Sequence, residues 1–148
     1  MAKTGNADDF CQAVAARMYE LDNAARGLGI VVDMVRLGHS RARMTVREDM
    51  LNSHRICHGG MLFSLADTAF AYACNAANKA TVASSCTISF VAGATLGEEL
   101  TAIAKERQRG GRTGIYDIEV TNRAGEIVAL FRGNSYQTKG VSAPGLNP

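Results

Sequence analysis

Apolar residues recur along this chain with three different spacings, and each predicts a different element. Phe10, Val14, Met18 and Leu21 fall at steps of four, four and three, one stripe of a 3.6-residue period. They predict a helix over residues 8–25, with Asp8 or Asp9 as its cap and Gly27 and Gly29 as its stop. Ala42, Met44 and Val46 instead alternate with Arg41, Arg43 and Arg47, the pattern of a strand with one face on a core and one in water. This strand, 41–47, follows another at 28–37 across Gly38-His39-Ser40. The third pattern has no polar face. Between residues 61 and 75 only Ser64, Asp67, Thr68 and Asn75 are polar, so a helix running from Gly59 to about Asn78 must be buried on most of its circumference. Ala66, Ala69, Ala71 and Ala73 favour the helix and let other elements approach it closely.

Four further strands are predicted at 81–91, 98–107, 113–122 and 127–137, punctuated by Gly93, Gly97, Gly110-Gly111 and the turn from Asn122 to Gly125. That is hairpin spacing, and it predicts an antiparallel meander. One long apolar helix and about six strands are best satisfied in an α+β hotdog arrangement, a curved antiparallel sheet wrapped around the helix. The alternative is an unrelated α+β roll. The domain is expected to span 1–138. The tail, 139–148, carries Gly, Ser and both prolines and is expected to be disordered.

Composition narrows the function classes. The 148 residues suit a single core, and 47% hydrophobic against 20% charged is an ordinary globular balance. A net charge of +2 excludes a dedicated nucleic-acid binder while leaving room for a local basic pocket. No apolar run reaches the ~18 residues of a membrane span, and the polar stretch 1–9 predicts no secretory leader. The four cysteines, at 11, 57, 74 and 86, form no C-x-x-C pair and predict reduced thiols in a cytoplasmic protein.

Candidate chemistry concentrates between residues 52 and 67. Gly59 and Gly60 at a helix start expose backbone N–H groups at the positive end of the helix dipole, a seat for a carbonyl oxygen that gains negative charge. A plain loop-to-helix turn is the competing reading. Asp67 decides between them, because an ionised carboxylate in an apolar helix is costly unless a salt bridge, a hydrogen bond to a neighbouring strand or a catalytic role accounts for it. Eight residues separate Gly59 from Asp67, roughly 12 Å along a helix. One carbonyl cannot meet both on one chain, so the chemistry predicts a two-fold dimer in which each Asp67 faces the partner's Gly59. Asn52 is a candidate positioner of water or substrate, or an ordinary turn residue. His54, Cys57 and His58 have metal-like side chains but lack further ligands at useful spacing, so no metal is expected, and Cys57 is read as a packing residue. Arg107, Arg109 and Arg112 make a basic hairpin tip that is either solvated or receives the phosphates of a nucleotide-bearing substrate. Phe63, Phe70 and Tyr72 with Met61 either fill the core or hold a flat ring.

The block from Leu51-Asn52 through Cys57-His58-Gly59-Gly60-Met61-Leu62-Phe63-Ser64-Leu65-Ala66-Asp67-Thr68-Ala69-Phe70-Ala71-Tyr72-Ala73-Cys74-Asn75 resembles the hotdog-fold acyl-CoA thioesterases of phenylacetate degradation, PaaI type. The resemblance continues through Ala83-Ser84-Ser85-Cys86-Thr87-Ile88-Ser89-Phe90, Thr113 to Val120 and Val128 to Gly133. It implies hydrolysis of phenylacetyl-CoA and its ring-hydroxylated forms without a cofactor. Asp67 would be the catalytic base or nucleophile, Gly59 the donor to the thioester carbonyl, and Asn52 the amide beside carbonyl and water. His58 and Gly60 would line the substrate site with Arg107, Arg109 and Arg112, and Ser84 or Ser85 would match a serine that contributes in some relatives. A homotetramer built as a dimer of dimers is also implied. The alternatives are a hotdog acyl-CoA hydratase or dehydratase, which needs a His–carboxylate pair, and a non-catalytic acyl-CoA-binding module.

Overall fold

The computed structural model describes residues 4–147. Residues 1–3 of the polar N-terminal stretch and Pro148 of the tail lie outside the described residues. The elements are α1 (Thr4–Leu21), α2 (Asn23–Gly27), β1 (Val31–Arg36), β2 (His39–Thr45), α3 (Gly59–Cys74), β3 (Thr81–Phe90), β4 (Glu99–Gly110), β5 (Thr113–Thr121) and β6 (Ile127–Gln137), with a 3-10 turn at Glu48–Met50. The six strands form one antiparallel sheet in the order β1-β2-β4-β5-β6-β3.

The sheet wraps α3, whose Leu62, Leu65, Ala66, Ala69, Phe70 and Ala73 are buried. The alanines do what small residues permit. Ser40 of β2 reaches the backbone of α3, donating to the Ala69 carbonyl. At Gly133 of β6 the Phe70 ring is so close that an added Cβ would stand 2.8 Å from it. Phe70 also meets Tyr116 edge-on at 5.4 Å, which fixes the helix against β5 and β6.

Three expectations need correction. The first helix begins at Thr4 rather than at Asp8, and it ends at Leu21 because Asp22 interrupts it. The Asp22 carboxylate accepts from the Ala25 N–H and starts α2. The buried stripe of α1 is Cys11, Val14 and Ala15, while Leu21 is exposed. The meander also fails at β3, which crosses the sheet to pair with β6, leaving β4, β5 and β6 as the true meander. The described part of the tail, 139–147, packs on the domain rather than standing free of it. Asn78 accepts from the Ala143 N–H and donates to the Ala143 and Leu146 carbonyls, and Ala143 is fully buried. Three directed bonds from one buried side chain hold a segment whose composition alone predicts none.

Candidate active site

The loop before α3 is fixed by its own backbone. Leu51 bridges to Cys57, the Asn52 and Ile56 backbones bond at 2.9 Å, and the Cys57 N–H donates to the Ala94 carbonyl at 2.7 Å. Inside this turn Arg55 sits at φ 62°, a left-handed conformation that a non-glycine residue holds only when its surroundings demand it. They do, because the Asn52 Oδ1 accepts from both His54 N–H (3.0 Å) and Ile56 N–H (3.3 Å). The turn reading of Asn52 is what these bonds describe: its oxygen builds the turn, while its Nδ2 group has no acceptor among the described residues.

The helix start separates its two glycines. The His58 Nδ1 accepts from the Gly60 N–H at 2.8 Å, and the Met61 and Leu62 N–H groups donate to the His58 carbonyl. The Gly59 N–H alone has no acceptor among the described residues, leaving an orphan donor at the positive end of α3. Gly60 thus contributes to the cap rather than offering a free donor. With Nδ1 accepting, the neutral His58 ring carries its proton on Nε2, on an exposed side chain.

Gly59 and Asn52 line one open cleft of about 330 Å³ together with Leu62, Phe90, Val91 and Gly93. Phe90 is a site residue that the sequence reading missed. Its ring covers Gly59 so closely that an added Cβ would stand 2.9 Å from it, yet 55% of the residue is exposed. No local pattern announces this contact, since Phe90 arrives from β3, 31 positions later in the chain.

Asp67 does not line this cleft within one protomer. It is half-buried on α3, and neither a salt bridge nor a hydrogen bond to its side chain occurs among the described residues. Burial alone pushes its pKa above the ordinary 3.8. Neither structural explanation of this carboxylate, a paired charge or a hydrogen-bonded cap, is met among the described residues. Its neighbours include the thiols of Cys74 and Cys86, both pushed upward by burial and by this carboxylate. Cys57 is buried, with its thiol pushed up to about 11, so it remains protonated and poorly nucleophilic near neutrality.

The three candidate arginines do not stay together. A bulge between Glu106 and Gln108 shifts the register against β5, so Arg107 lies with Asp117 (3.6 Å) and Arg132 on the outer face of the sheet. Arg109 lies on the inner side, 3.1 Å from Glu106, and shares a pocket with Arg112 and Lys79. Of the candidate ring-binding residues, Phe70 and Tyr72 are core, and Tyr72 donates to Asp22 at 3.2 Å. Phe63 and Met61 are half-buried. Ser84 donates to the Asn134 carbonyl, and Ser85 accepts from the Asn134 side chain.

The signature of the thioesterase superfamily matches residues 54–129, the stretch that contains the helix start and Asp67. The chain belongs to this superfamily. It is 52% identical over 126 residues to acyl-coenzyme A thioesterase PaaI of Escherichia coli K12, covering 85% of this chain and 90% of that protein. The solved structure of the E. coli PaaI protein from the phenylacetic acid degradation operon superposes with a TM-score of 0.90 at 48% identity, over 91% of this chain and 98% of that one. A mutant of the phenylacetic acid degradation protein PaaI from Thermus thermophilus matches with a TM-score of 0.74 at 35% identity, over 77% of this chain and 97% of that one. The superfamily signature and the sheet-wrapped α3 together make the fold a hotdog, as the helix and strand pattern predicts. No helix among the described residues is long and apolar enough to cross a membrane.

Proposed function

We propose that the protein is an acyl-CoA thioesterase that hydrolyses phenylacetyl-CoA and ring-hydroxylated phenylacetyl-CoA to the free acid and CoA, within phenylacetate catabolism. The similarity to the E. coli thioesterase supports the reaction class, and that relative's operon supports the substrate. One observation carries the chemistry. Two unpartnered donors, Gly59 N–H and Asn52 Nδ2, line a single cleft at the positive end of a helix. The thioester oxygen accepts from Gly59, and Asn52 donates to that oxygen or to the attacking water. Asp67 then takes the proton of that water as its oxygen attacks the carbonyl carbon, and passes it to the sulfur as the C–S bond breaks and CoA leaves as the thiol. In the other course the carboxylate attacks the carbon itself and expels CoA, and water then cleaves the mixed anhydride, releasing the free acid and a proton for the thiolate. The Nε2–H of His58 and the ring of Phe90 border the acyl thioester.

The carboxylate comes from the partner subunit. The rise of α3 between Gly59 and Asp67, roughly 12 Å, supports this, and so does β3, a ten-residue edge strand with seven exposed residues. Such an edge invites a second copy. We read the assembly as a dimer of dimers with shared sites, in the cytoplasm, where the free cysteines stay reduced.

Release of free thiol from a panel of acyl-CoAs tests the reaction. Phenylacetyl-CoA is expected to exceed palmitoyl-CoA in kcat/KM by roughly 10–200-fold. Absence of thiol release from every member would overturn the reaction. Equal turnover of palmitoyl-CoA would overturn the substrate alone. For the shared site, Asn52→Ala and Asp67→Asn proteins are unfolded together and refolded. Activity should rise to about a quarter of wild type, one intact site in each of half the dimers. A mixture as inactive as its components would place both halves of the site on one chain.

A further inference from the structure

Ser40 lies on the inner face of β2 and is fully buried beneath α3. Its neighbours on that floor are methyl groups, since it stands opposite Ala104 of β4 and Ala42 beside it stands opposite Ala102. The helix presents Ala66, Ala69 and Ala73, all buried. Alanine on alanine brings α3 close to the sheet but interlocks little, because methyl groups make only shallow ridges. On the β6 side the helix is held by Phe70 in the notch at Gly133. On the β2 side the directed contact is the Ser40 hydroxyl, which donates to the Ala69 carbonyl. No other hydrogen bond joins a strand to the backbone of α3 among the described residues. The helix does not need this bond. The regular i→i−4 pattern already gives the Ala69 carbonyl the Ala73 N–H as a donor. An alanine at position 40 would leave no polar group unsatisfied and would match Ala42, Ala102 and Ala104 in size. The hydroxyl adds direction where valence is already met.

We infer that Ser40 is a positioning residue for the hydrolysis: its hydroxyl fixes the rotation of α3 on the sheet and thereby aims the Asp67 carboxylate. The inference rests on the reading of Asp67 as the catalytic carboxylate. That side chain has neither a salt bridge nor a hydrogen bond among the described residues, so the backbone of α3 alone places it. Asp67 precedes Ala69 by two residues, roughly 200° round the helix, which sets it on the side away from β2. The bond and the carboxylate are thus opposite ends of one lever across the helix axis. A carboxylate ~6 Å from that axis moves about 1 Å when the helix turns by about 10°. A misplacement of ~1 Å can cost ~10²-fold in rate, because attack needs the reacting atoms in a narrow range of distance and angle. Phe70 at Gly133 limits this rotation from one side of the helix, and Ser40 limits it from the other.

Thiol release from phenylacetyl-CoA by the full-length protein and its variants tests the role. Ser40→Ala is expected to lower kcat by about tenfold, with KM within about twofold of wild type. Its thermal midpoint should stay close to wild type, because no polar group is orphaned. A residue that acts through Asp67 has nothing left to position once the carboxylate is gone. Adding Ser40→Ala to Asp67→Asn should therefore cost no further turnover, so the two losses should not multiply. Wild-type kcat in Ser40→Ala would overturn the inference. So would an equal proportional loss in both backgrounds, which marks a smaller folded fraction rather than a misplaced carboxylate. Ser40→Cys, similar in volume but with only a weak S–H donor, is judged by the same criteria if the alanine variant does not fold. The failures of the two readings remain distinct. Near-wild-type turnover by Asp67→Asn removes the role of the carboxylate and this inference with it. An inactive Asp67→Asn beside a fully active Ser40→Ala removes the part of Ser40 alone.

Discussion

The two ends of α3 treat their polar groups in opposite ways. Beyond its C-terminus, Asn75 donates to the Ala71 and Thr81 carbonyls and accepts from the Thr81 N–H and the Ser142 hydroxyl. Asn78 is matched in the same way by Ala143 and Leu146. Both residues are buried, and in each both amide hydrogens donate and the amide oxygen accepts, so both read as structure. From the N-terminus of α3 to its middle, Gly59 keeps an unused N–H, Asn52 an unused Nδ2, and Asp67 a carboxylate with no partner among the described residues. The same helix thus separates satisfied valence, which holds the fold together, from unsatisfied valence, which a substrate can complete. This contrast makes opposite claims about mutation at the two ends.

The sharpest test is Asp67→Asn. The amide keeps the volume but is a poor base and a poor nucleophile, and a loss of ~10²-fold or more in kcat is expected. Because no native contact of the carboxylate is lost, thermal stability should not fall. Near-wild-type turnover, or a collapse in stability with proportionate loss of activity, would make Asp67 a structural residue and break the comparison.

Asn78→Ala makes the reverse claim. It removes three directed bonds and leaves the buried Ala143 N–H unsatisfied, while the residue's φ of 62° suits asparagine better than alanine. Urea unfolding should show a loss of about 2–3 kcal/mol, and limited proteolysis should now cut the tail. The kcat of the remaining folded protein should stay within about twofold of wild type, far below the ~10² scale of removing a general base. A large fall in kcat without loss of stability would show that the satisfied end also serves catalysis.

Legibility in the sequence follows the same division. α3 is read from local pattern because it is apolar nearly all round, and β2 because Ala42 and Met44, with Val46 just past its end, keep strict parity. Asp67 is readable as a single charge where none belongs, and Gly59 as a glycine at a helix start. What escapes depends on distant registers. The bulge that sends Arg107 and Arg109 to opposite faces exists only against β5, and the place of β3 beside β6 is a property of the whole sheet. Phe90 over Gly59 and Ala143 under Asn78 are likewise long-range contacts between residues that look ordinary in isolation. His58 could have been noticed as a side-chain acceptor immediately before Gly-Gly. Its occupation of the Gly60 N–H, which leaves only Gly59 free, needed the geometry.

The smallest expected effect tests whether the unsatisfied carboxylate carries an energetic cost. Burial raises the Asp67 pKa above 3.8 in the folded state, so the native protein holds this proton more tightly than the unfolded chain does. The sign follows from linkage. The stability contributed by this group is fully present below the unfolded pKa and is lost as pH rises through the higher folded pKa. Asp67→Asn has no such proton to lose. Its melting temperature relative to wild type should therefore be more favourable at pH 7 than at pH 4, while all other titrating groups cancel in the difference. The acidic limb of wild-type kcat/KM should have its midpoint above 3.8 for the same reason, because the ionised carboxylate does the work and burial delays its appearance. A melting difference independent of pH, together with an acidic limb at the ordinary value, would mean that Asp67 is well solvated or paired in the assembly. The contrast between the two ends of α3 would then reduce to hydrogen bonding at Gly59 and Asn52.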